Sequence, residues 1–137
     1  MTVSFVDADV IVRLISGDDP VKQKAAAALF QRVELGSLQL TTPVTTFADC
    51  LYVLCSPRLY GFSRSEAAAR LLTLVQLPHF RLTRRRTIIR ALELFAATHI
   101  DFGDALMAAA MVQNGSNVVY SYDAHFDRLP GLTRKSP

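Results

Sequence analysis

The feature that most constrains this chain is an alternation of short β-favouring runs with longer stretches of helical periodicity. Val3 to Val6 is an apolar run of the strand type, and Val10, Ile11, Val12, Leu14 and Ile15 follow it as a helix would. Leu38 to Thr41, His79 to Thr83 and Asn117 to Ser121 repeat the strand pattern, and the tail from Gly131 has the makings of a brief edge strand. Strands that alternate with helices imply parallel pairing under a cover of helices, and right-handed crossovers leave few topologies. The expected fold class is α/β, a three-layer arrangement in which a short, mostly parallel central sheet is covered by helices.

Local signals set the helix limits. Asp19 and Pro20 stand in the order of cap and first turn, and Val21, Ala25, Leu29 and Val33 recur every four residues, which predicts one buried stripe before Gly36 stops the helix. Thr42 and Pro43 give a second such pair ahead of a helix from Val44 to Cys55, with Asp49 in its middle. Ser63 and Glu66 have capping-box spacing before Ala67, Leu71, Leu72 and Val75. Arg84 to Thr98 predicts a helix with Ile88, Leu92 and Phe95 inward, and Asp101 caps one that runs to Gln113 with Asp104 in its first turn. Asp123 to Leu129 is a short polar segment. No repeat or linker interrupts residues 1–137, so a single domain is expected.

Composition removes several classes of protein. No apolar run approaches the roughly 20 residues that cross a bilayer, and the start of the chain lacks a basic leader, so a cytoplasmic protein without membrane contact is expected. Cys50 and Cys55, on one helix, would stand about 7.5 Å apart along its axis and on different faces, too far for a disulfide. With two cysteines and three histidines, a structural zinc site has almost nothing to be built from. The net charge is +3, and if four aspartates gather in one site, 15 bases face eight remaining acids over the rest of the chain. Most of those bases are arginine, whose planar fork suits phosphate, so a polyanionic partner is consistent with the balance.

In parallel α/β sheets, ligands bind beyond the carboxyl ends of the strands. Asp7 and Asp123 lie just past strand ends, and Asp104 lies in a first helical turn, where free N–H groups and the helix dipole favour an acid. Asp49 shares its helix face with Thr45, Tyr52 and Val53, a face that can turn inward or to solvent. Taken singly, each is a turn, cap or surface residue as readily as a ligand. Together they form a set of hard oxygen donors that selects Mg²⁺ or Mn²⁺, since clustered carboxylates repel one another until a divalent cation compensates them. Arg81, Arg84, Arg85, Arg86 and Arg90 crowd a helix start, where they oppose the dipole, so Arg84, Arg85 and Arg86 are candidates for RNA contact as much as for a solvated face. His125, beside Asp123, reads as an incidental loop histidine, and no base and third group accompany Ser121 or Ser4 to make either a nucleophile.

Four segments in order carry a resemblance to a known family. "FVDADVIVRLI" resembles the opening of PIN domains, and "TTPVTTFADCLYVL", "IDFGDALMAAAM" and "VVYSYDAHFDRLPGL" are similar to the later motifs of that family. Within it the chain looks most like the VapC-type toxins of bacterial toxin-antitoxin pairs. The resemblance implies a PIN-like fold and a metal-dependent ribonuclease with Asp7, Asp49, Asp104 and Asp123 as its acidic positions and Ser121 at the family's Thr or Ser position. Asp9 stands where the family often has Asn, Ser or Thr, and Asp127 joins it and Ser121 as a supporting position. The second acid is usually Glu, and Asp49 is one methylene shorter, which implies ligation through water. It also implies an antitoxin that covers the acidic pit, and a homodimer through faces around Leu51, Leu54, Leu71 and Leu72. Two rivals have sequence features of their own. Asp7-Ala-Asp9 resembles the acid pair of haloacid-dehalogenase phosphotransferases, but Lys22, Lys24 and Lys135 are the only lysines for the downstream position that family needs; the shortened Asp49 suits a silent PIN module that only binds RNA or protein.

Overall fold

Asp19 shows how this sequence sets its own boundaries: its carboxylate accepts a hydrogen bond from Lys22 N at 3.1 Å, and Pro20 opens the helix behind it. Ser63 does the same for the fourth helix through Glu66 N, and Asp101 for the sixth through Asp104 N. The computed structural model describes residues 2–137. In chain order these form β1 (Val3–Phe5), α1 (Ala8–Ser16), α2 (Pro20–Glu34), β2 (Gln39–Thr41), α3 (Thr45–Cys55), α4 (Arg64–Val75), α5 (Arg85–Ala97), α6 (Phe102–Gln113), β3 (Val118–Tyr120), a 3-10 helix (Ala124–Arg128) and β4 (Thr133–Lys135).

All strand pairing is parallel, as the alternation predicts, but it forms two pairs rather than one central sheet. β1 pairs with β2 in the register Val3↔Gln39, and β3 pairs with β4 in the register Val118↔Thr133. The strand expected over His79 to Thr83 reduces to a single bridge between Leu40 and Phe80. Phe80 is nevertheless fully buried, with its ring 5.7 Å from Phe30 and 6.2 Å from Phe47, so its apolar character serves the core rather than a ladder. An apolar run of this kind usually marks a buried strand, yet Phe5 is 74 % exposed and only Val6 enters the core.

The core lies among α1, α3, α4, α5 and α6, where Ile11, Phe47, Leu54, Leu71, Val75 and Leu92 exclude solvent. Two expectations from periodicity need correction. In α2 the buried residues are Ala26, Phe30 and Val33 rather than a stripe through Val21 and Ala25, because Phe30 reaches Phe80 and turns the helix about its axis. Leu51, Leu54 and Leu71 are buried within the chain and Leu72 is half-buried, so they fill the core of one subunit and do not offer the dimer face expected of them.

Thr42 does not cap α3, which starts at Thr45 without a side-chain cap. Its buried hydroxyl instead lies 2.8 Å from Val6 O and 2.7 Å from Thr46 Oγ1. Thr42 donating to the carbonyl and Thr46 donating to Thr42 satisfies both hydroxyls and ties the start of α3 to the residue just before Asp7.

Two arginines close helix C-termini. Arg64 Nε donates to Phe95 O and Thr98 O at 3.0 Å, its Nη2 donates to Ile100 O, and its guanidinium lies over the Phe95 ring at 3.6 Å, which finishes α5. Arg85 likewise donates to Val75 O, to Leu77 O at 2.8 Å and to Phe80 O at 2.7 Å at the end of α4. Of the three arginines singled out for RNA, Arg85 is thus turned into the fold, while Arg84 and Arg86 are exposed. Arg84 stands at the start of α5 with φ 57, a left-handed conformation that a residue with a Cβ adopts at a cost of roughly 1 kcal/mol.

Candidate active site

The N-terminus of α6 sets one acid. Asp101 Oδ1 accepts from Asp104 N at 2.8 Å, which fixes the first turn and leaves the Asp104 carboxylate free of that task. The exit of β3 sets another. Ser121 N donates to Lys135 O at 3.0 Å, so the strand register holds Ser121, and its Oγ accepts from Asp123 N at 2.9 Å. Asp123 Oδ1 then accepts from His125 N at 2.9 Å and starts the 3-10 helix, while His125 Nδ1 lies 3.0 Å from the same oxygen. These caps bring one ligand atom each from Asp104, Asp123 and His125 within 4.8 Å of one another. Asp104 is half-buried and the other two are exposed. Burial pushes the Asp104 carboxyl above the usual range, Asp101 and Asp123 push it further, and His125 partly offsets them.

Asp7 and Asp49 are not members of that group. Asp7 Oδ1 caps α1 by accepting from Ala8 N at 2.9 Å, and Asp49 is exposed on α3. Next to Asp49 on α3 is Cys50, a fully buried thiol whose Sγ is 3.9 Å from Ala8 O. Burial pushes that thiol up to about 12, and the charges of Asp49 and then Asp7 add to the effect. Asp7 thus stands at the start of α1 and Asp49 on α3, while Asp104, Asp123 and His125 gather where the start of α6 meets the exit of β3. Asp49, Asp101 and Gly103 line a groove of about 890 Å³.

The supporting positions have local partners. Asp9 is exposed and faces a groove between α1 and α2 beside Arg13 and Lys22. Asp127 is gripped by a two-pronged fork from Arg134, at 3.0 and 3.1 Å, which holds its carboxyl below the usual range. Sequence reasoning set His125 aside. The signal for it was its place two residues beyond Asp123, where a tight turn returns the ring to the carboxylate that caps it.

The donor set fits a divalent cation. Two carboxylates share the site, and one of them is raised in pKa by burial and by its acidic neighbours, an arrangement a cation relieves. Oxygen donors suit Mg²⁺ and Mn²⁺, and an imidazole nitrogen added to them tilts the preference toward Mn²⁺.

The parallel α/β framework thus carries an acidic site at the exit of β3 and the start of α6. The chain belongs to the PIN domain family, whose pattern matches residues 4–132. That match covers nearly all of the chain and bears out the PIN-like fold, and PIN domains are typically metal-using nucleases. A comparison with curated proteins finds no match. No helix is long and apolar enough to cross a membrane.

Proposed function

We propose that this protein is a metal-dependent endoribonuclease that hydrolyses RNA phosphodiester bonds at the α6 start. The observation that carries the reading is the convergence of Asp104, Asp123 and His125 within 4.8 Å. Asp104 and Asp123 would hold Mg²⁺ or Mn²⁺ directly, Asp7 and Asp49 would complete the catalytic set, and the shorter Asp49 would act through water. A bound divalent ion supplies a lowered pKa for attacking water and charge stabilisation for the leaving oxygen.

The chain's own residues prepare that chemistry. Asp101 and Ser121 fix the backbone at Asp104 and Asp123, so neither carboxylate has to be ordered when the ion arrives. His125 brings a ring nitrogen within 4.8 Å of the two carboxylates, where it can serve as a third ligand or a proton acceptor. Arg84 and Arg86, exposed at the start of α5, supply phosphate contacts.

The motif order and spacing also support a role as the toxin of a toxin-antitoxin pair, with an antitoxin over the acidic pit, a homodimer as the working state and a cytoplasmic site of action. The experiment is an assay of purified protein on structured RNAs with EDTA, Mg²⁺ or Mn²⁺, beside Asp7→Asn and Asp104→Asn. Cleavage that requires the metal and is lost in both variants is expected. Full metal-dependent cleavage by both would remove the assignment, and absence of both Mn²⁺ binding and cleavage would favour the silent module.

A further inference from the structure

Beside the acidic site lies a hollow of about 220 Å³, between the loop that joins α5 to α6 and the 3-10 helix. His99, His125 and Arg128 line it, and the buried Ile100 and Leu129 supply its apolar lining. Among the described residues that line it there is no carboxylate. His99 and Arg128 are both exposed, and no ion pair among the described residues engages either. Asp127, the acid next to Arg128 in the chain, is already committed to Arg134. The backbone on either side of His99 is fixed, because Arg64 donates to Thr98 O at 3.0 Å and to Ile100 O. His125 belongs to both places: it lines this hollow, and it brings a ligand atom within 4.8 Å of those of Asp104 and Asp123.

We infer that this hollow is a phosphate subsite, in which His99 and Arg128 hold the RNA backbone phosphate next to the scissile one. This rests on the nuclease reading and deepens it by adding two positioning residues. Ionised phosphate oxygens accept hydrogen bonds, and the hollow offers donors to match: Arg128 brings a planar fork of N–H groups, and His99 keeps a ring N–H in either protonation state. Size points the same way. Whole small ligands usually occupy roughly 300–1,000 Å³, so a hollow of about 220 Å³ suits one group of a larger ligand. A phosphate at the carboxylates of Asp104 and Asp123 is repelled until a cation compensates them, whereas past the His125 ring the chain supplies the positive charge itself. Holding the neighbouring phosphate there fixes the register of the RNA and sets the scissile bond at the acids before the chemical step.

The test measures binding of a labelled RNA oligonucleotide by fluorescence anisotropy in EDTA, where neither metal nor turnover contributes, and then cleavage kinetics of the same proteins with Mn²⁺. Arg128→Ala is expected to weaken binding about tenfold and to lower the slope of log affinity against log salt by about 0.7, one phosphate contact on a single strand. It should raise KM with kcat nearly unchanged, since the contact is made before and during the reaction alike. Arg128→Lys, which keeps the charge, should restore the slope. His99→Ala, which removes one hydrogen-bond donor, should weaken binding roughly threefold. In a series of RNAs that each carry a single neutral methylphosphonate linkage, one linkage adjacent to the cut should cost the parent about tenfold and cost Arg128→Ala nothing further. Parental affinity, salt slope and KM in Arg128→Ala would overturn the inference while leaving the nuclease reading intact. So would a dependence on the RNA's terminal 5′-phosphate in place of an internal linkage. A parent protein that neither binds nor cleaves RNA would overturn both.

Discussion

Asp18 and Asp104 are both aspartates beside helix termini, and their surroundings treat them in opposite ways. Asp18 accepts from Arg13 at 2.7 Å, from Ser16 at 2.8 Å and from Tyr60 at 2.8 Å. Hydrogen bonds from Tyr60, Ser16 and Arg13 hold its carboxyl down to about 2, although the group is in contact with solvent. Asp104 is half-buried, faces Asp101 and Asp123, and has its carboxyl pushed up. The first carboxylate is satisfied by the fold and ties the loop after α1 to the loop after α3. The second is left needing a positive charge from outside, which marks a site of function rather than support.

The sharpest way to break that contrast is to neutralise the needy carboxylate. Asp104→Asn or Asp123→Asn is expected to reduce metal-dependent cleavage by on the order of 10²-fold or more, since a metal's stabilisation of the transition state is worth several kcal/mol and each 1.36 kcal/mol is tenfold. Single-turnover cleavage of RNA in Mn²⁺ measures it. The same variants should abolish the rise in melting temperature that Mn²⁺ gives the parent, because only a bound ion stabilises by mass action. In EDTA at neutral pH, Asp104→Asn should melt slightly higher than the parent. A carboxyl with a raised folded pKa contributes least stability when ionised, so removing its charge helps the fold as it ends the function.

The same division runs through the arginines, and it gives the next largest effect. Arg85→Ala would strand the carbonyls of Val75, Leu77 and Phe80 at the end of α4 and is expected to lower stability by about 2 kcal/mol. Arg86→Ala, one residue on and exposed, should stay within about 0.5 kcal/mol. Urea unfolding followed by circular dichroism separates the two. Equal losses would show that Arg85 and Arg86 are both surface residues, and the inward reading of Arg85 would fail.

Arg85 also shows where sequence reasoning stops. Alternation, caps and turn residues have local causes, so the strands at Val118 and Thr133 and the caps at Asp19, Ser63 and Asp101 were legible, as was the α/β class. Which of three consecutive arginines turns inward depends on carbonyls five to ten residues away, and no local spacing encodes that. Thr42 was read as a cap because Thr-Pro has the pattern of one, yet its hydroxyl finds Val6 O, a partner 36 residues back. The candidate site divides along the same line. Each aspartate's place on a strand end or helix turn could be read from the chain, but its grouping could not. The 4.8 Å convergence of Asp104, Asp123 and His125 is a tertiary fact.

The smallest effect tests the satisfied side of the contrast. A carboxyl whose folded pKa is depressed contributes stability that is present above its unfolded value of 3.8 and is lost as pH falls through the folded value of about 2. Asp18→Asn keeps the shape of the side chain but removes the charge that Arg13 and the acceptor strength that Tyr60 and Ser16 rely on. At pH 7 the variant should therefore melt a few degrees lower than the parent, the modest size reflecting full exposure to solvent. The gap should narrow from pH 4 downward and close only below pH 2, where the parent's carboxyl is itself protonated. A gap that stayed constant over that range would mean that Asp18 holds the two loops by packing alone, and the opposition between it and Asp104 would then rest on burial rather than on charge.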